Sequence, residues 1–226
     1  MQHKNIFRVL VFSKTAGYRH DSIDAGIQCI ENLGSESRQF MVDASEDAQL
    51  INETHLSQYT VLVLLQNSGD FLDQDQLKGV QKFVRNGGGV VGIHCAAAGM
   101  TAEPWYGDLI GAVFTDHPEP QDGLVKVEDN AHPIVSHFQR DFNWHDEWYN
   151  FAASPRAKGV KVLLSIDEGS YRGGNGMGEN HPLAWCREFD GGRSFYTSLG
   201  HFDAAYTNEM FHQHLLSGIL WAATRQ

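Results

Sequence analysis

Imidazoles at the ends of apolar segments are the groups in this sequence best placed to do chemistry. The chain has twelve histidines among 226 residues, about twice ordinary usage. His94 ends the run Gly87-Gly88-Gly89-Val90-Val91-Gly92-Ile93 and is followed by Cys95 and the small residues Ala96-Ala97-Ala98-Gly99. A short apolar strand closing in a tight turn of small residues is a device for presenting one reactive side chain at a strand's carboxyl end. Imidazole at that tip suits proton transfer or metal ligation better than acyl transfer. His20 follows the first apolar segment, and His201 follows Ser198-Leu199-Gly200 near the last. Three more, His117, His132 and His181, precede proline, which holds the preceding backbone extended. Any one histidine is more ordinarily a hydrogen-bonded structural group. Several at successive strand ends suggest a site, because open α/β sheets bind ligands outside the carboxyl ends of their strands.

Carboxylates and aromatics gather at Asn143-Trp144-His145-Asp146-Glu147-Trp148-Tyr149-Asn150-Phe151. Aromatic faces beside carboxylates suit a sugar ring, stacked on one side and hydrogen-bonded at its hydroxyls; an aromatic edge of the core is the plainer alternative. Glu147 among these rings is expected to be desolvated, with a raised pKa that suits a general acid. Trp105 and Tyr106 could wall the same cavity.

The elements that must carry these groups alternate in the first half. Phe7 to Ser13, Gln39 to Val42, Thr60 to Leu65 and Val90 to Ile93 read as parallel strands, the third as one buried on both faces. Helices are expected from Asp21 or Ser22 to Leu33, stopped by Gly34, and from Asp73 to Asn86, with the three glycines as the turn that follows. The second half offers strands at 124–127, 160–166, 182–189 and 193–199, a hairpin at Asp190-Gly191-Gly192, and a closing helix over 206–223. The glycine-rich stretch 171–180 opens no helix, so it reads as a surface loop or a lid rather than a phosphate cradle. The expected fold is α/β and flavodoxin-like: a three-layer sandwich, mostly parallel, with antiparallel additions in the C-terminal half, in one domain over residues 1–226.

Composition narrows the partners. A formal charge of −11 and a pI near 5.4 speak against nucleic acid. No apolar run reaches 18 residues, and the first is too short for a signal peptide, so neither a membrane partner nor secretion is expected. Three widely spaced cysteines suit a reducing cytoplasm.

In order along the chain, Lys14 to Ser22, Gly87 to Ala96, Trp105-Tyr106, Leu109 to Phe114, His117-Pro118, His132-Pro133, Asp146 to Tyr149, Pro182 to Trp185 and Gly192 to His201 resemble the trehalose-utilisation (ThuA-like) family. The resemblance implies a class I glutamine amidotransferase-like fold and a role in carbohydrate metabolism, on trehalose, related disaccharides or their keto forms. The sequence departs from amidotransferases at the elbow, which carries His94 in place of cysteine, so glutamine hydrolysis is not expected.

The expectations for the site follow. His94, Glu147 and His201 are the acid–base groups, and His20, Trp105, Tyr106, His117, Trp148 and Tyr149 contact a small carbohydrate. A divalent metal is an open cofactor, with His94, His117 and His201 as its candidate ligands. A homo-oligomer stays open. The alternative function is a non-catalytic sugar-binding or interaction protein on the same scaffold.

Overall fold

The computed structural model describes residues 6–173, 176–179 and 181–224. The elements run β1 (Phe7–Phe12), α1 (Ile23–Ser37), β2 (Phe40–Ser45), α2 (Glu53–Leu56), β3 (Val61–Leu65), α3 (Gln74–Arg85), β4 (Gly89–Ile93), α4 (Pro104–Ile110), β5 (Phe114–Asp116), β6 (Gln121–Val127), β7 (Phe142–Asp146), β8 (Asn150–Phe151), β9 (Lys161–Ile166), β10 (His181–Phe189), β11 (Gly192–Thr197) and α5 (Glu209–Ala222). Nine strands form one mixed sheet in the order β2-β1-β3-β4-β11-β10-β9-β6-β7. The first five are mutually parallel, and the rest join through antiparallel pairs. Strands β5 and β8 make a separate short pair.

Period-two alternation builds a core on each face. Val9, Val11, Val61, Val63 and Leu65 point to the face covered by α1 and α5, with Ile30, Leu215 and Ile219. Leu10, Phe12, Leu62 and Leu64 point to the other, under α3 and α4, with Leu77, Val80, Leu109 and Ile110. Helix α3 starts where its sequence indicates: Asp73 accepts from Asp75 and Gln76, and the Gln76 side chain caps back in a capping box, a motif worth about 1 kcal/mol. The β10–β11 hairpin turns through Asp190 and Gly191, both at positive φ (49° and 93°), as a two-residue loop matching strand twist requires.

Several boundaries differ from expectation: β2 runs on to Ser45, β6 starts at Gln121 and β11 ends at Thr197, and three further differences have a local cause. Gly34 does not stop α1, which continues to Ser37 and closes on Arg38 at φ 55°. Gly34 instead lets Phe40 approach, since a Cβ there would stand 2.9 Å from the Phe40 carbonyl. Gly89 belongs to β4, where a Cβ would lie 2.2 Å from the Ala222 carbonyl, so the turn comprises Gly87 and Gly88. The closing helix begins at Glu209, because Asn208 caps it and residues 203–207 form a 3-10 turn. Strand β7 was not foreseen; it lies inside the acidic and aromatic segment. Part of the glycine-rich stretch, Gly174, Asn175 and Asn180, lies outside the described residues, but Glu168 accepts from the backbone of Met177 and Gly178. No helix among the described residues is long and apolar enough to cross a membrane.

His214, fully buried on α5, bonds Ile134 O through Nδ1 at 3.3 Å and leaves Nε2 unpartnered. Burial, with nearby His137, pushes its pKa down to about 3. The unfolded chain therefore binds a proton there below pH 6.5 that the folded chain refuses. Its contribution to stability is complete above about pH 6.5 and is lost as pH falls from there toward 3, at up to about 1.4 kcal/mol per pH unit. His214→Leu is expected to flatten the fall in Tm between pH 6.5 and 4 relative to wild type; parallel Tm–pH curves would show that His214 does not stay neutral in the fold.

Candidate functional site

The parallel register sets the carboxyl ends of β3, β4 and β11 level, with Leu65 and Thr197 both opposite Ile93. Buried polar side chains collect along this edge: Ser13, Gln66, Asn67, Ser68, His94, Thr197 and Ser198. Gln66 and His94 hold positive φ there (55° and 51°), a strained conformation for residues with a Cβ and more usual where function requires a fixed direction.

His94 is fully buried. Its Nδ1 lies 2.6 Å from Ser198 O, which can only accept, so Nδ1 carries the proton and the Nε2 lone pair points into the site. The Tyr149 hydroxyl, kept protonated by burial, donates to that lone pair at 2.8 Å. Tyr196 donates to the His94 carbonyl at 2.7 Å and secures the turn.

Asp146 ends β7 and does not contact the cavity. Its Oδ1 accepts from the N–H groups of Glu147 (3.0 Å) and His201 (3.1 Å), and its Oδ2 from Gly200 N (2.8 Å) and the Trp144 indole (2.9 Å). One buried carboxylate thus ties the loop after β11 to the end of β7. Gln66 holds the same loop from β3 through Gly200 O at 2.8 Å, and Ser22 holds it through His201 O at 2.6 Å.

Glu147 then stands between three imidazoles. Oε2 lies 3.3 Å from His94 Nε2 and 3.2 Å from His201 Nδ1, and Oε1 lies 3.4 Å from His117 Nε2. Burial pushes its carboxyl up, but the surrounding imidazoles, His201 first, outweigh this and hold it well below the usual carboxylate range. The expected raised pKa is therefore corrected: Glu147 is a charged carboxylate and cannot serve as the general acid. His201 is drawn down by burial, yet the bond to Glu147 and the charges of Glu147, Asp146 and Asp21 raise it overall. His20 packs edge-on to His94 and His201, with ring centroids 4.8 and 5.0 Å away. Burial and those neighbours push it down to about 3. The Cys95 thiol is pushed up to about 11, chiefly by burial, and is no thiolate nucleophile at neutral pH.

His20, His94, Glu147 and His201 each offer one ligand atom, and all four atoms lie within 4.8 Å of one another. His20 thus joins His94 and His201 where the sequence suggested His117, which reaches only the far oxygen of Glu147. Two cavities flank the cluster and share Tyr18 and His20. One, about 740 Å³, is lined by Trp144, His145, His201, Phe202, Asp203 and Asn208 among others. The other, about 480 Å³, is lined by Ser68, Cys95, Phe114, His117, Glu147 and Tyr149 among others.

Of the expected site residues, His20, His94, His117, Glu147, Tyr149 and His201 converge. Trp105, Tyr106 and Trp148 do not. The Trp105 indole donates to Asp190 at 2.8 Å, at the opposite end of β11, and packs at a tilt against Phe189. Tyr106 is buried and donates to Ala96 O at 2.9 Å, bracing the turn from below. Trp148 is fully buried in the core beside Gly123 and Tyr171. The residues missed were Asp146 and Gln66 as supports, Tyr18 and Phe202 as cavity walls, and His20 as a potential ligand.

The trehalose-utilisation (ThuA) family model matches residues 8–222. No curated protein matches the sequence. A ThuA-like protein of Bacteroides uniformis superposes with a TM-score of 0.80 at 24% identity, over 96% of this chain and 91% of that one. One from Parabacteroides merdae gives 0.80 at 21% identity, over 97% and 91%. A cytoplasmic protein of Salmonella typhimurium, STM3548, gives 0.65 at 13% identity, over 95% and 98%. At these identities the likeness is one of fold.

Proposed function

The chain belongs to the ThuA trehalose-utilisation family, which implies a role in carbohydrate metabolism, and on that premise we propose an enzyme acting on a trehalose-like disaccharide or its keto derivative. His94, Glu147 and His201 are the reacting centre. The observation that carries this reading is their convergence, from the ends of β4, β7 and β11, on a buried cluster with a cavity on either side. A protein that only bound sugar would keep the aromatic walls but would not need a charged carboxylate buried among three imidazoles, an arrangement costly to desolvate. The parallel strand order β2-β1-β3-β4-β11 is similar to a flavodoxin-like order, in which ligands bind at this carboxyl edge, and so supports the same reading. The wall of Tyr18, Trp144 and Phe202, interleaved with Asp21, Asp203 and Asn208, supplies ring faces and hydroxyl partners for a sugar. A protonated Cys95 beside the elbow makes glutamine hydrolysis a poor competitor.

Tyr18 is 67% exposed and lines both cavities. Tyr18→Ala is expected to raise KM for the sugar about 3- to 10-fold, the value of one aromatic contact, with kcat within twofold. The assay follows conversion of trehalose, maltose and their 3-keto derivatives. An unchanged KM would remove these cavities from the sugar's path.

A further inference from the structure

We propose that His20, His94, Glu147 and His201 bind one divalent first-row transition metal ion. The inference concerns the cluster alone and holds whatever the sugar proves to be.

The distances are long for hydrogen bonds and match ligands shared by one ion. His94 Nε2, Glu147 Oε2 and His201 Nδ1 are separated by 3.3, 3.2 and 3.4 Å. An ordinary N–H···O bond centres near about 2.9–3.0 Å. Ligands held at about 2.0–2.1 Å around a tetrahedral ion stand about 3.3–3.4 Å apart, since the edge of a tetrahedron is about 1.63 times its centre-to-vertex length. All three separations fall close to that edge, including the one between two nitrogens. A ring nitrogen of His20 completes the set within 4.8 Å.

Two of the ligands are also supported as metal ligands should be, and a third has a ring nitrogen free. His94 gives its other ring N–H to Ser198 O, which fixes the tautomer and leaves Nε2 free to coordinate. The second oxygen of Glu147 faces His117. His20 is only 4% exposed and its Nδ1 has no hydrogen-bond partner in the structure, an orphaned polar atom beside the cluster. Three imidazoles and one carboxylate suit zinc, manganese, cobalt or nickel; calcium and magnesium prefer oxygen. One carboxylate against a divalent ion leaves a net positive centre, open to an oxygen ligand from the adjoining cavities. Such an ion would polarise a sugar carbonyl or hydroxyl oxygen. The Tyr149 hydroxyl, which occupies the His94 lone pair in this structure, would yield that position and remain beside the ion as a donor.

The test uses full-length protein without a polyhistidine tag, stripped with a chelator and dialysed, then titrated calorimetrically with Zn²⁺, Mn²⁺, Co²⁺ or Ni²⁺ alone. The expected result is one ion per chain for at least one metal, with a Tm that rises on loading. Glu147→Gln and His201→Gln should each weaken binding at least about 100-fold, beyond the 10- to 100-fold typical of outer-shell changes. His55→Gln, on α2 and remote from the cluster, should leave it unchanged. Absence of saturable binding by wild-type protein overturns the proposal without recourse to a variant. So does affinity retained in folded Glu147→Gln and His201→Gln, which would place the ion elsewhere. No sugar enters the experiment, so its failure and the failure of the carbohydrate reading are separable.

Discussion

Glu147→Gln and His94→Gln are each expected to lower sugar turnover about 10²–10⁴-fold, the range associated with losing one acid–base group, while circular dichroism stays that of wild type. Gln keeps the length and a carbonyl oxygen at position 147 but removes the charge that His94 and His201 meet at 3.3 and 3.2 Å. The fold does not depend on that charge, because Asp146, not Glu147, carries the backbone bonds that join the loops. At position 94, Gln cannot both donate to Ser198 O and accept from the Tyr149 hydroxyl in the imidazole's geometry. The expectation is the same whether these groups move protons or hold an ion. Wild-type turnover in both folded variants would place the chemistry on residues other than His94 and Glu147.

Asp146→Ala is expected to have the largest effect on stability. Its carboxylate is fully buried and takes four donors, three of them backbone N–H groups. Removing it leaves each donor unsatisfied at a cost of about 1–3 kcal/mol unless water enters. Allowing for that relief and for non-additivity, the loss is about 3–5 kcal/mol. In a chain of this length that lowers Tm by about 6–20 °C. Asp146→Asn, which keeps one acceptor oxygen, should lose less. Both should cut turnover, since His201 is seated through its own N–H on Asp146. A scanning calorimetry trace for Asp146→Ala within about 2 °C of wild type would mean that the loops are held by Gln66 and Ser22 alone.

The parallel half of the sheet was legible because each strand is a short apolar run bounded by a polar loop or glycines, and His94 was legible because β4 ends in small residues. The antiparallel half was legible where turn chemistry spoke, at Asp190-Gly191. Strand β7 was hidden because Trp144 and Asp146 are inward residues serving polar bonds, so the alternation that marks a strand is not an apolar one. Asp146 gave no signal as a support: its partners at Gly200 and His201 lie 54 and 55 residues away and are backbone groups. Trp105 was expected to wall the site as an aromatic in a family-like motif, but α4 carries it to Asp190. His20 lies in the loop between β1, which ends at Phe12, and α1. Its approach to His94 depends on β1 and β4 flanking β3, an ordering that composition does not specify.

The most direct test of the central claim, that the imidazole–carboxylate cluster acts on a sugar, is a proton NMR time course with trehalose, maltose and their 3-keto derivatives. Wild type, His94→Gln and Glu147→Gln are compared, each with and without added divalent metal. The account predicts that wild-type protein converts at least one of these sugars and that both variants, folded, convert it at least 100-fold more slowly. Conversion at the wild-type rate by either variant, or no conversion of any sugar by metal-loaded wild type, would contradict it.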